Sequence, residues 1–199
     1  MSLTDEDYHF LLRLSRTSID HGLIHDAPLF LNPKSVDKKY HTMGGSFISL
    51  LLNGQNRGCI GNYDNSQKLY FTVLQNSYKS AFQDERFPPI NQNLFDILHI
   101  ELHHILDRGR DIKVHSIQDL KNKIESDDTL YIEHNGKSSV MLSLMQIKLG
   151  SLEEFIIQTR SKSTIPNTVD WNQIKIKLYK TYYTKPLLLK TLEPCKNLD

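Results

Sequence analysis

The chain has 199 residues, 39% of them hydrophobic and 24% charged, enough for one domain with a sizeable core and ordinary for a globular protein. Its 24 Lys and Arg against 23 Asp and Glu speak against nucleic acid as an obligate partner, and no apolar run nears the ~18 residues that cross a bilayer, so no membrane association is expected. The acidic start Met1–Asp7 is unlike a secretory signal and the two cysteines, Cys59 and Cys195, form no disulfide framework or Cys-rich zinc module, which leads to two free thiols in the cytoplasm.

The first predicted element is a helix from Asp5 to His21, opened by the capping pair Thr4 and Asp7 and stopped by Gly22. Tyr8, Leu11, Leu12, Ser15 and Ile19 recur on one face. Residues 23 to 43, with Pro28 and Pro33, read as an extended surface connection. Ser46 to Leu52 is a strand, Asn53-Gly54 a type I′ turn and Gln55 to Gly61 the returning strand. A two-residue loop would pair Leu50 with Arg57 and Ile48 with Cys59, placing Arg57 and Cys59 on one face unless a bulge intervenes.

Asn65 or Ser66 is expected to cap a helix to Gln83, ended by Phe87-Pro88-Pro89. Ile97 to Leu106 alternates Leu98, Ile100 and Leu102 against His99, Glu101 and His103, as in a half-solvated strand. A short helix follows Ser116, a second Asn-Gly hairpin spans Thr129 to Leu142, and Ser151 with Glu154 opens a helix to Lys162. Gln173 to Tyr183 alternates again, and the tail beyond Pro186 has no period. Two hairpins and more strands than helices predict an α+β fold: a mostly antiparallel sheet with packed helices.

Several segments resemble the AMMECR domain proteins, called protein A of the AmmeMemoRadiSam system in bacteria and archaea. Gly45-Ser46-Phe47-Ile48-Ser49-Leu50 with Arg57-Gly58-Cys59-Ile60-Gly61 is similar to that family's core block, and Ala81 to Pro89 to its second block. Ile100-Glu101, the Tyr179 region and the opening run Phe10 to Arg16 also match in order, so the similarity covers about residues 5 to 184, with 185–199 as a C-terminal tail. The chain departs from the pattern at Asn56, where Leu is usual, at Glu85, where Pro is usual, and around Leu142, where a proline is missing. The resemblance implies a larger and a smaller lobe. It also implies company: a pathway shared with a MEMO-type protein and a radical SAM enzyme, with this chain as catalyst or accessory.

The candidate site follows from these blocks. Cys59 is read as a nucleophilic or redox thiol, with Arg57 favouring the thiolate and Gly58 and Gly61 allowing close approach of a ligand or another backbone; the competing reading is a packing cysteine. Arg86 with Asp84 is read either as an anion clamp or as a helix-end ion pair. Glu101 is the candidate proton carrier, and no histidine spacing points to a general base for Cys59. His99, Glu101 and His103 share a strand face, yet a solvated face is favoured over a metal set, and no cofactor is expected. Lys175, Lys177, Lys180, Tyr182, Tyr183 and Lys185 could form an RNA surface, or the outer face of a lysine-blunted strand. Three functions stand: a Cys-dependent enzyme for a small anionic molecule, a binding module for the MEMO-type and radical SAM proteins, and an RNA-binding protein.

Overall fold

The computed structural model describes residues 3–196, which form an α+β fold of two compact units. The larger holds Met1–His104 with Tyr183–Asp199, the smaller Ile105–Tyr182.

In the larger unit α1 (Asp5–His25) begins at the predicted capping box, the Thr4 hydroxyl accepting from the Asp7 amide and the Asp7 carboxylate from the Thr4 amide. The helix does not stop at Gly22; it runs a further turn to Asp26, whose φ of 51° ends it. Gly22 serves packing instead: a Cβ there would sit 2.3 Å from the Phe82 ring of α2 (Leu69–Phe82), so the two helices meet closely. The connection 23–43 is less open than expected. It makes two short 3-10 turns and buries Val36 and Tyr40, whose hydroxyl donates to buried Asp7.

Strands β1 (Gly45–Leu52) and β2 (Gln55–Gly61) form the predicted hairpin, with Asn53 and Gly54 at φ 52° and 78°. Helix α2 starts at Leu69 without a side-chain cap; Asn65 accepts from the Gly45 amide and Ser66 donates to Asp64, so neither expected capping residue reaches it. After the short helix α3 (Gln92–Phe95) comes β3 (His99–Ile105), next to β1, giving the strand order β2-β1-β3. The expected half-solvated strand is instead buried from Ile100 to Ile105.

In the smaller unit β4 (Arg110–Ile112) pairs with β7 (Lys175–Tyr183), β7 with β5 (Asp128–His134), and β5 with β6 (Lys137–Met141), all antiparallel. The β5–β6 turn is the second Asn-Gly hairpin, with Asn135 and Gly136 at φ 49° and 78°. Helices α4 (Ile117–Lys121), α5 (Leu144–Leu149) and α6 (Leu152–Ser163) belong here, and Leu130, Ile132, Phe155, Ile156, Ile176 and Leu178 form the core. Finally β8 (Leu187–Leu188), in the larger unit, pairs with β3, and the following residues bury Leu189 and Leu192. The aperiodic segment from Leu187 to Leu192 is therefore part of the fold.

Candidate functional site

The larger unit has two layers. Ser46 on β1 bonds Thr72 and Asn76 of α2, Leu50 and Gly58 lie under Ser80 of α2, and His104 on β3 meets Tyr8 of α1. Side chains alternate along strands, so Ser49, Cys59, Glu101 and His103 project from the opposite face.

The hairpin register decides where the thiol stands. From the turn, Leu52 pairs with Gln55 and Leu51 with Asn56, but Leu50 then pairs with Gly58 and Ser49 with Cys59. Arg57 is the extra residue of a bulge, so the expected pairs Leu50–Arg57 and Ile48–Cys59 do not form. Its guanidinium goes instead to the Pro88 carbonyl at 2.7 Å and lies 5.2 Å from the Phe87 ring centre. Gly58 explains the bulge: a Cβ would sit 2.2 Å from the Ser80 carbonyl oxygen. Ser80 also bridges the ladder, accepting from the Ile60 amide at 2.9 Å and donating to the Ile48 carbonyl at 2.8 Å. At Gly61 a Cβ would meet the Phe47 ring at 2.2 Å. The protein itself thus takes up the side-chain space at both glycines.

Cys59 is held by its backbone. Its amide donates to Asp84 Oδ2 at 2.8 Å, and its carbonyl accepts from Arg86 Nη2 at 3.1 Å. Arg86 closes the clamp, its Nε and Nη2 reaching the two Asp84 oxygens at 2.8 and 2.6 Å. The Arg86 guanidinium, with the Cys59 amide, brings the buried Asp84 carboxyl down to about 2, and Asp84 in turn raises Arg86 above its ordinary value. The helix-end ion pair thus forms, and it also grips the backbone of the cysteine. Because both Cys59 backbone groups point away from β1, Cys59 and Ser49 are a non-hydrogen-bonded pair, whose side chains come closest. The Ser49 hydroxyl lies 3.3 Å from Sγ, and the thiol is half-buried. Ser49 is the site residue that sequence reading missed; only the bulged register brings it to the thiol.

Arg86 is 54% exposed in its side chain and, like Arg57, flanks Phe87, at 5.5 Å. Arg86 Nη1 and Arg57 Nε and Nη1 make no hydrogen bond among the described residues, so two cations with unused donors lie beside the Cys59 strand. Glu101 is not part of this clamp; it lies on β3, 3% exposed, with Oε2 at 3.7 Å from His103 Nε2. His103 and His104 are also buried, which overturns the solvated-face reading of this strand. No group of three or more His, Cys, Asp or Glu able to hold a metal occurs among the described residues.

In the smaller unit Lys180 is ion-paired with Glu125, Asp127 and Asp128, and Lys177 lies over the Tyr179 ring. Of the expected basic stripe, Lys180 is thus locally neutralised. No helix among the described residues is long and apolar enough to cross a membrane.

The profile of the AMMECR1 family matches residues 12–184. The chain belongs to the AMMECR1 family. An AMMECR1 relative in Methanothermobacter thermautotrophicus is 25% identical over 82% of this chain and 85% of its own length. One in Aquifex aeolicus is 28% identical, covering 74% and 76% of the two chains. The crystal structure of an uncharacterized protein from Pyrococcus horikoshii has the same fold, with a TM-score of 0.82 at 25% identity over 91% of this chain and 92% of that one. The clamp residues thus lie inside the AMMECR1 match.

Proposed function

We propose that this AMMECR1 protein is a thiol-dependent enzyme, or the catalytic component of a small assembly, acting on a small anionic molecule. One observation carries the reading. A buried carboxylate and an arginine fix the amide and carbonyl of a single cysteine, while its thiol stays half-buried beside a hydroxyl. A cysteine used for packing gains from burial of its sulfur, not from a charged grip on its backbone. The clamp also compensates the Asp84 charge, so a thiolate at Cys59 would have a cation in its surroundings rather than a lone carboxylate. The unused guanidinium donors of Arg57 and Arg86 supply the anion selectivity. In this reading Cys59 is nucleophile or thiol ligand, and Glu101 lies on the same sheet face as the candidate proton carrier.

The test is the rate of Cys59 alkylation against pH, with Cys195→Ser so that one thiol reports. A half-rate pH well below the ordinary ~8.5 is expected for an activated thiolate. Slow reaction at every pH until the protein unfolds would overturn the reading. A second reading is a binding module for the MEMO-type and radical SAM proteins that the family resemblance implies. The Arg57–Phe87–Arg86 group, with Arg86 exposed and the other two half-buried, favours it, because arginine and aromatic side chains are enriched at protein interfaces. Absence of a complex with such partners at micromolar concentration would count against it.

A further inference from the structure

The last turn of α1 brings two imidazoles together. The helix runs on past Gly22, which packs on the Phe82 ring, so His25 is helical and stands four residues after His21, on the same face. The two ring centres are 4.4 Å apart, with their planes at 40°. His25 is exposed and His21 half-buried, and neither imidazole makes a hydrogen bond among the described residues. Burial, and then the charge of His25, holds His21 below its ordinary value, so its ring is neutral at neutral pH, the form that binds a metal.

The spacing of the rings selects the kind of ion. An imidazole nitrogen sits about 2.0–2.1 Å from a bound metal, which puts the ring centre about 3.2 Å from it. Two rings at right angles on one ion then stand about 4.5 Å apart, and at the tetrahedral angle about 5.2 Å. The 4.4 Å found here fits the right angle, the cis arrangement of square-planar or tetragonal Cu2+ and Ni2+. Position along the helix adds to this. The unpaired carbonyls of the last turn give α1 a negative end, which favours a cation beside His25.

We propose that His21 and His25 form a chelating site for a divalent metal of tetragonal preference, Cu2+ or Ni2+, with water completing the coordination. The bound ion bridges the last turn of α1 and steadies the helix end that packs on Phe82 of α2. The assignment does not depend on the reading of Cys59.

Ni2+ tests it. Calorimetric titration of the full chain is compared with His21→Gln and His25→Gln, and with His9→Gln as a control on an exposed imidazole elsewhere on α1. Either site variant should weaken Ni2+ binding about tenfold or more, because the second nitrogen of a chelate binds as an intramolecular event. The His9 variant should bind like the parent. In the unmodified protein, substoichiometric paramagnetic Ni2+ should broaden the amide NMR signals of residues 21–25 before any others, a readout that needs no variant to fold. Binding unchanged in either site variant, binding weakened as much by His9→Gln, or broadening that begins elsewhere overturns the assignment.

Discussion

Asp84 shows how much one side chain can be asked to do. It accepts from the Cys59 amide and takes both arms of the Arg86 contact, so its folded pKa is lowered to about 2. A lowered carboxyl pKa contributes stability that is complete above the unfolded value of about 3.8 and is lost as pH falls towards 2. Because Arg86 is half-exposed, solvent screening reduces the benefit. Asp84→Asn is expected to cost about 1–2 kcal/mol at pH 7, measured by urea unfolding, and to remove the loss between pH 4 and 2. His104 acts in a separate window. Burial pushes its pKa from 6.5 down to about 4, and its Nδ1 meets the Tyr8 hydroxyl at 3.1 Å. The unfolded chain takes the proton first, so stability is full above pH 6.5 and falls on the order of 2–3 kcal/mol by pH 4. His104→Gln should flatten that stretch of the stability–pH curve; an unchanged slope there would mean that the imidazole is not its source. Cys59, Arg57, Asp84, Arg86 and Glu101 were legible in the sequence as residues of interest. The grip of Asp84 and Arg86 on the cysteine backbone was not, because no sequence period reports a backbone-to-side-chain contact across 25 residues.

At the scale of elements, legibility followed the range of the signal. The Asn-Gly turns and the Thr4 and Ser151 caps are set by neighbours within four residues, and they formed as expected. The bulge at Arg57 depends on the Ser80 carbonyl pressing on Gly58 from another element, so the hairpin rule alone gave the wrong partners beyond Asn56. Gly22 failed in the same way. Local chemistry reads a glycine after a helical run as a stop, but here Phe82 and Tyr78 need its missing side chain. This makes a sharp prediction. Alanine is favoured over glycine by up to ~1 kcal/mol within a helix, so Gly22→Ala would stabilise a freely exposed α1. Packed against the Phe82 ring, it should instead destabilise by about 1–2 kcal/mol in denaturant titration.

For the whole chain, the α+β class was readable from hairpin count and alternation, and the AMMECR1 match from the order of its blocks. The segment beyond Pro186 was not, since a two-residue strand and one turn carry no periodicity. Yet β8 pairs with β3, Leu189 and Leu192 are buried, Arg13 donates to the Glu193 carbonyl, and the Cys195 amide donates to Thr17. Ending the chain at Pro186 should therefore lower stability by about 3 kcal/mol or more, given roughly 1.5–3 kcal/mol per buried leucine, and the loss would show as a lower Tm. An unaltered Tm would mean that the tail only rests on the surface.

The Asp84–Arg86 pair has a consequence for the behaviour of the protein in bulk. β2 ends the strand order, so its outer amide and carbonyl at Cys59 would otherwise invite a strand from another molecule. Two charged side chains occupy that template and act as a plug against intermolecular pairing. Acid that protonates Asp84, or the substitution Arg86→Ala, unplugs it. Light scattering and thioflavin fluorescence should then rise in the variant at neutral pH, while the parent protein stays monodisperse until the pH nears 2.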